Sequence, residues 1–220
     1  MKKLVLVLTL IVMLSGCAEL MRQQRREALQ KDFETSGNPE IIVEVYNLFL
    51  EDDDKTLLAA LLQKVDTKAK EGDINSARWL ANNIGIMMSI DPTVTQDTYI
   101  ELLAKFKDPK ALLTIGQKYS KNGSSKKAEA MFQEAIKAGD LEGYVYLCSE
   151  LFKVQFIRSR DYHTKLDFTE TAACARDCLK ATIDGKKAKL AEHCIGYLDK
   201  VQDAMPESEK KEWRNKAAEL

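Results

Sequence analysis

The residues most able to do chemistry are five cysteines and two histidines, and their spacing narrows what that chemistry could be. Four of the thiols, Cys148, Cys174, Cys178 and Cys194, lie in the C-terminal half, with His193 beside the last. An even number of thiols can oxidise to disulfides, and four of them allow three pairings. Cys174 and Cys178 stand four apart on one helical stretch, a poor geometry for bridging each other. As thiolates, the same residues with His193-Cys194 would offer soft ligands that suit zinc, but the usual two-residue spacing is absent. The fifth thiol, Cys17, stands apart at the end of an apolar run, in Leu14-Ser15-Gly16-Cys17-Ala18. Which chemistry the other four follow depends on compartment, and compartment depends on Cys17.

Lys2 and Lys3 precede the run Leu4 to Leu14, an apolar run of 11 residues broken only by Thr9 that gives way to small Ser15 and Gly16. That is the layout of a secretory signal peptide. At about 1.5 Å per residue the run spans about 16 Å as a helix, half of a ~30 Å hydrocarbon core, too short for a permanent span. Leu14-Ser15-Gly16-Cys17 resembles the lipobox of bacterial lipoproteins. The resemblance implies that the Cys17 thiol is acylated, that residues 1–16 are removed, and that Cys17 becomes the acylated N-terminus. Two or more acyl chains anchor a protein stably where one is marginal. It also implies attachment to the outer membrane facing the periplasm, because Ala18 rather than Asp follows. Ordinary cleavage nearby is the alternative.

The formal net charge is -1, or -3 once Lys2 and Lys3 are set aside, which is no basic footprint for nucleic acid. Only 4 Pro and 10 Gly interrupt a chain rich in Ala, Leu, Lys and Glu, and no long alternation marks a sheet. The pattern is all-α. Residues 17–38, with Arg22, Arg25 and Arg26, form a lipidated N-terminus and tether, with helix as far as Phe33 an option, closed by Ser36-Gly37-Asn38-Pro39. These arginines are placed to touch anionic head groups, a solvated linker being the alternative.

Over 39–220 apolar segments end at similar punctuation, and Asp73, Asp108 and Asp140 are spaced by 35 and 32 residues, a period of paired-helix repeats. In Pro109 to Asp140, Leu112, Ile115, Gly116 and Tyr119 recur at helical spacing, Asn122-Gly123-Ser124-Ser125 breaks the chain, and Ala128, Phe132 and Ala135 recur on a second helix. Small Gly116 and Ala128 allow the two helices to approach closely. These spacings resemble the tetratricopeptide (TPR) repeat, and Ala135-x-x-Ala138-Gly139 followed by Gly143, Leu147 and Leu151 is equally similar to Sel-like repeats. Leu112 departs from the TPR pattern, which has Trp there, and Cys148 and Cys194 stand where it has Gly. Blocks 39–73 and 74–108 share the period but few signature residues. The resemblance implies a right-handed α-solenoid of about five antiparallel helix pairs. It also implies a ligand-facing row formed by Lys110, Leu113, Gln117, Ser120, Lys121, Ser149 and Phe152.

On that repeat frame the favoured pairing is Cys148 with Cys174 inside one repeat and Cys178 with Cys194 between repeats. Buried free thiols filling Gly and Ala positions are the alternative. His193 falls on a core-facing repeat position. The stretch Lys153 to Phe168 lengthens its block and mixes Phe156, Tyr162 and Phe168 with Lys153, Arg158, Arg160 and Lys165. It is either a docking surface for an acidic or carbohydrate partner, or a lengthened helix with its aromatics folded onto the array.

No G-x-S-x-G elbow, H-E-x-x-H pair, P-loop or dinucleotide fingerprint is present. With His163 and His193 alone, imidazole acid-base chemistry has few candidates. The run Glu51-Asp52-Asp53-Asp54 lacks the alternating ligands and the Gly of a calcium loop. The expected protein is a noncatalytic, cofactor-free lipoprotein that binds a protein partner, a scaffold or assembly adaptor of a secretion, pilus or polysaccharide-export complex, by analogy with lipid-anchored TPR proteins. Two alternatives stay open. One is an inhibitor or immunity lipoprotein acting on an envelope enzyme; the other is a peptidoglycan or glycan hydrolase, which requires carboxylates clustered in one cleft.

Overall fold

The computed structural model describes the backbone of residues 2–52, 55–162, 167–201 and 204–220, with side chains from residue 18 onward except 51–54, 162–166 and 202–203. Among the described residues every regular element is an α-helix, as the composition predicts. In chain order they are α1 (Lys2–Ser36), α2 (Ile41–Asp52), α3 (Thr56–Lys70), α4 (Ile74–Asn82), α5 (Ile84–Met88) and α6 (Gln96–Lys105), then α7 (Pro109–Lys121), α8 (Ser125–Lys137), α9 (Glu142–Tyr162), α10 (Thr169–Asp184), α11 (Ala188–Lys200) and α12 (Glu207–Ala218).

One local device ends α3, α6, α7, α8 and α10. Each runs into a residue of positive φ, namely Gly72, Lys107, Gly123, Gly139 or Lys186. The next amide then reaches back five residues, as in Asp73 N–H to the Lys68 carbonyl at 2.9 Å, Asp108 to Leu103 at 2.9 Å and Asp140 to Ala135 at 3.0 Å. This satisfies carbonyls that the helix end would leave open. The aspartates of the repeating punctuation then start the next helix. Asp73 accepts the Asn75 amide at 3.2 Å and Asp108 the Ala111 amide at 2.9 Å, with Pro109 in the first turn of α7. Asp140 likewise accepts the Glu142 amide at 3.0 Å.

The chain divides into two compact units, 1–99 and 100–220, where the sequence pattern suggested one repeat domain from residue 39. In the first, α1 packs on α2 and α3, and α3 on α4. Leu29 and Phe33 are buried with Ile42, Val45, Leu58, Leu61 and Leu62. Residues 29–36 are therefore part of a packed helix rather than a free tether, because Leu29 and Phe33 stand four apart on one face and bury together. Block 74–108 departs from a simple hairpin. Asn83 interrupts it, so that α4, the short α5 and α6 replace two segments. Tyr99 is buried and donates its hydroxyl to Asp66 at 2.9 Å, tying the start of α6 to α3.

In the second unit each helix from α7 to α12 packs on its chain neighbour, α7 and α11 both touch α9, and α10 touches α12. Arg176 on α10 clamps Glu209 on α12 with two bonds, Nε at 2.6 Å and Nη2 at 3.1 Å. At the centre lies Phe132 of α8, 2% exposed and stacked on Tyr146 of α9 with ring centroids 5.6 Å apart. Two glycines let the neighbouring helices close on it. A Cβ at Gly116 would stand 2.5 Å from the Phe132 ring, and one at Gly143 would stand 2.7 Å from Ile136 Cγ1 and 2.9 Å from the Phe132 carbonyl. Gly116→Ala and Gly143→Ala are each expected to cost about 1–3 kcal/mol in urea unfolding by overpacking. Gly196→Ala, where a Cβ meets nothing within 4 Å, should show no such loss.

Candidate functional site

The four C-terminal thiols are joined in two disulfides, Cys148–Cys174 and Cys178–Cys194, with Cα separations of 5.6 and 5.9 Å. The first links α9 to α10 and the second links α10 to α11. This is the pairing favoured on the repeat frame. All four cysteines are buried. Helix α10 supplies one cysteine to each bridge because Cys174 and Cys178 lie one turn apart on its inner face. His193 does not join them. It is exposed rather than packed in the core, and its Nδ1 lies 2.7 Å from the Lys189 carbonyl of the preceding turn. Bonded sulfurs and an outward ring do not make the soft ligand set that zinc would need.

His193 instead lines a cleft of about 310 Å³ between α9 and α11, with Glu142, Val145, Tyr146, Lys189 and Leu190. Val145, Tyr146 and Leu190 supply apolar walls, while Glu142, Lys189 and His193 supply polar groups at the rim. Helix α7 reaches this rim through Lys110, whose ammonium lies 2.9 Å from Glu142 and 3.0 Å from Asp140. Hydrogen bonds to these two carboxylates, Glu142 foremost, raise the Lys110 pKa. The sequence row therefore found one member of this rim; the repeat pattern turns His193 toward the core, and the other members, at the starts of α9 and α11, lie outside the predicted ligand-facing row. Glu142 with Tyr146, and Lys189 with His193, each four apart, are the signal that was available.

The other members of the predicted row divide. Leu113 is buried, 4% exposed, and belongs to the core with Leu112; a side chain in that place cannot face a ligand. Lys121 and Ser149 are exposed and Gln117 is half-buried. Ser120 donates to Glu150 at 2.5 Å, and Lys153 lies 3.3 Å from Glu150 and 3.1 Å from the Ser120 carbonyl. These bonds serve a buried carboxylate. Burial pushes the Glu150 pKa up, but the Ser120, Ser125 and Lys153 partners together bring it below its ordinary value.

Lys153 to Phe168 splits between its two readings. Helix α9 continues through Tyr162, and Phe168 folds back to stack on Phe152 with centroids 5.0 Å apart. Lys200 of α11 lies over Phe152 and Tyr197 at 5.7 and 4.9 Å. Gln155 is buried, accepting from the Thr171 hydroxyl at 2.6 Å. Phe156 stays 49% exposed at the end of this stack, 6.4 Å from Phe152, with Arg158 and Arg160 also on the surface and Arg160 paired with Asp161 at 3.0 Å. The Tyr162 side chain and residues 163–166, including His163 and Lys165, lie outside the described residues, as do Asp53 and Asp54 of the acidic run and the side chain of Cys17.

The first unit carries a larger groove, about 550 Å³, along α1 and α3, lined by Phe33, Glu34, Ala60, Gln63, Lys64 and Thr67 among others. One ion pair closes its rim, Lys64 to Glu34 at 3.3 Å. The tether assignment hid this groove, since it exists only because the end of α1 packs. The chain matches no family model and no curated protein.

Two outcomes are expected. Cys148→Ala with Cys174→Ala, or Cys178→Ala with Cys194→Ala, should each lower stability by roughly 3 kcal/mol in denaturant unfolding, the chain-entropy value for loops of this size. Glu129 is held above the ordinary carboxylate range by burial and then by the charges of Glu170 and Glu150. A carboxyl raised on folding favours the folded state while protonated, and that advantage is lost as pH rises through its folded value. Glu129→Gln should therefore raise the melting temperature more at pH 7, above the titration of a free carboxyl, than at pH 4. A parent-like profile would contradict this.

Proposed function

We propose that this chain is an outer-membrane lipoprotein anchored through Cys17 and facing the periplasm, acting without catalysis as a protein-binding scaffold or assembly adaptor of an envelope complex. Three lines of support combine. The N-terminal layout of basic residues, apolar run and Leu-Ser-Gly-Cys motif is that of a lipoprotein leader. Among the described residues no helix is long and apolar enough to cross a membrane, so attachment by acyl chains fits better than a span. Two disulfides belong to an oxidising compartment.

The observation that carries the binding role is the shared face of α7, α9 and α11. The first helices of three successive pairs contact one another and leave the cleft of Tyr146, Leu190 and His193 open between two of them. A right-handed TPR/Sel-like solenoid of about five pairs is the architecture that this stacking, with the 35- and 32-residue spacing of Asp73, Asp108 and Asp140, favours. In such an array a face repeated from pair to pair presents a partner with an extended groove.

A reversible crosslink in living cells, followed by detergent extraction of the tagged protein and mass spectrometry, tests this. Several subunits of one envelope assembly are the expected recovery. Lys189→Glu with His193→Glu, both on exposed positions, should reduce that recovery at least about fivefold while leaving the melting temperature unchanged, as loss of interface contacts without core damage does. Recovery of a single stoichiometric enzyme would overturn the scaffold in favour of an inhibitor.

A further inference from the structure

The first turns of α1 after Cys17 are layered along the helix axis, and the layers match those of a membrane surface. Leu20 and Met21 are 57% and 64% exposed, with Leu50 the most exposed large apolar side chains among the described residues of the first unit. At 1.5 Å per residue they stand about 5–6 Å along the axis from Cys17. Arg22, Arg25 and Arg26 follow at about 7–14 Å, and their i, i+3, i+4 spacing groups them on one side of the helix. Only further on, at Leu29 and Phe33, does α1 begin to bury apolar residues in its own unit.

By charge count this stretch of α1 is cationic. From Ala18 to Lys31 there are four basic residues against Glu19 and Glu27. Two of the ion pairs here are long and exposed, Arg22 to Glu19 at 3.7 Å and Arg25 to Glu44 at 4.0 Å, with the Arg25 and Glu44 side chains 60% and 59% exposed. Pairs of that kind are worth little in water and yield to phosphates.

We infer that Leu20 and Met21 enter the interface of the bilayer that holds the Cys17 acyl chains and that Arg22, Arg25 and Arg26 bind its anionic head groups, so that α1 stands on the membrane by its first turns. This rests on acylation of Cys17. The occupant is a lipid surface, chosen by charge complementarity and by the order apolar then cationic from the anchor outward. A solvated tether has no need of exposed Leu and Met at its membrane end. The consequence is mechanical: the packed unit beginning at Leu29 is held within about 20 Å of the bilayer instead of swinging on a free linker.

Full-length acylated protein carrying Leu20→Trp is reconstituted into phosphatidylcholine vesicles containing one quarter phosphatidylglycerol. Its added emission, over that of Trp79 and Trp213, is compared with that of Gln30→Trp. Lipids brominated in the acyl chain should quench the position-20 increment by about half or more and leave the position-30 increment unchanged. Arg22→Gln, Arg25→Gln and Arg26→Gln together should remove the dependence of that quenching on phosphatidylglycerol. Mass spectrometry of the N-terminal peptide reports acylation separately, so an absent anchor is distinguished from an anchored protein whose first turns stay in water or under protein. In acylated protein, equal quenching at positions 20 and 30 overturns the inference.

Discussion

The second unit depends on how closely three helices can approach one aromatic ring. Phe132 fills the space between α7, α8 and α9, and it fits only because Gly116 and Gly143 present no Cβ toward α8. Close approach of this kind sets the helix separation near the lower end of its ordinary range, and everything packed around it inherits that spacing. With α9 drawn against α8, Tyr146 stacks on Phe132 while part of its surface lines the cleft toward α11. A core contact and a surface feature thus share one side chain. Widening the α8–α9 gap would move the wall of the cleft with it.

What was legible in the sequence followed from local chemistry. Gly-Asp and Lys-Asp marked helix boundaries correctly because the positive-φ residue satisfies the carbonyls behind it and the aspartate caps the amides ahead, both within a few residues of chain. Gly116, Ala128, Phe132 and Ala135 were readable as a hairpin for the same reason. The cleft was not readable, because Glu142 and Tyr146 meet Lys189 and His193 only after α10 has brought α11 back against α9. Leu113 failed as a ligand position through a shift in which face of α7 is covered, a matter of helix rotation that the repeat pattern leaves loose. Residues 29–36 failed as a tether because two apolar residues one turn apart were too sparse to signal burial, yet suffice once α2 and α3 offer a surface.

Electrostatics in the second unit separate two kinds of carboxylate. Glu150 is buried but supplied with hydroxyl and ammonium partners, so it remains charged and organises Ser120 and Lys153 around itself. Glu129 faces Glu150 and Glu170 with less compensation and binds its proton more tightly. A raised and a lowered carboxyl near one another is a pattern that catalysis also uses. Both carboxyls sit where α8, α9 and α10 pack, so their protonation is coupled to the stability of that packing.

The disulfides gain meaning from that geometry. The cleft is walled by α9 and α11, and its two walls are each bonded to the same third helix, α10, through Cys148–Cys174 and Cys178–Cys194. Cross-links of this kind restrict the unfolded chain. In the folded protein they also hold two walls in register through a common strut, with Gln155 and Thr171 adding a buried hydrogen bond between α9 and α10. A face held in this way has little conformational freedom left to lose on binding, which is the condition under which the proposed role would keep its affinity. The cysteines therefore tie together the helices that flank this open gap. On the proposed binding role this favours the face of α9 and α11 over the larger groove of the first unit, whose rim carries the exposed Lys64–Glu34 ion pair.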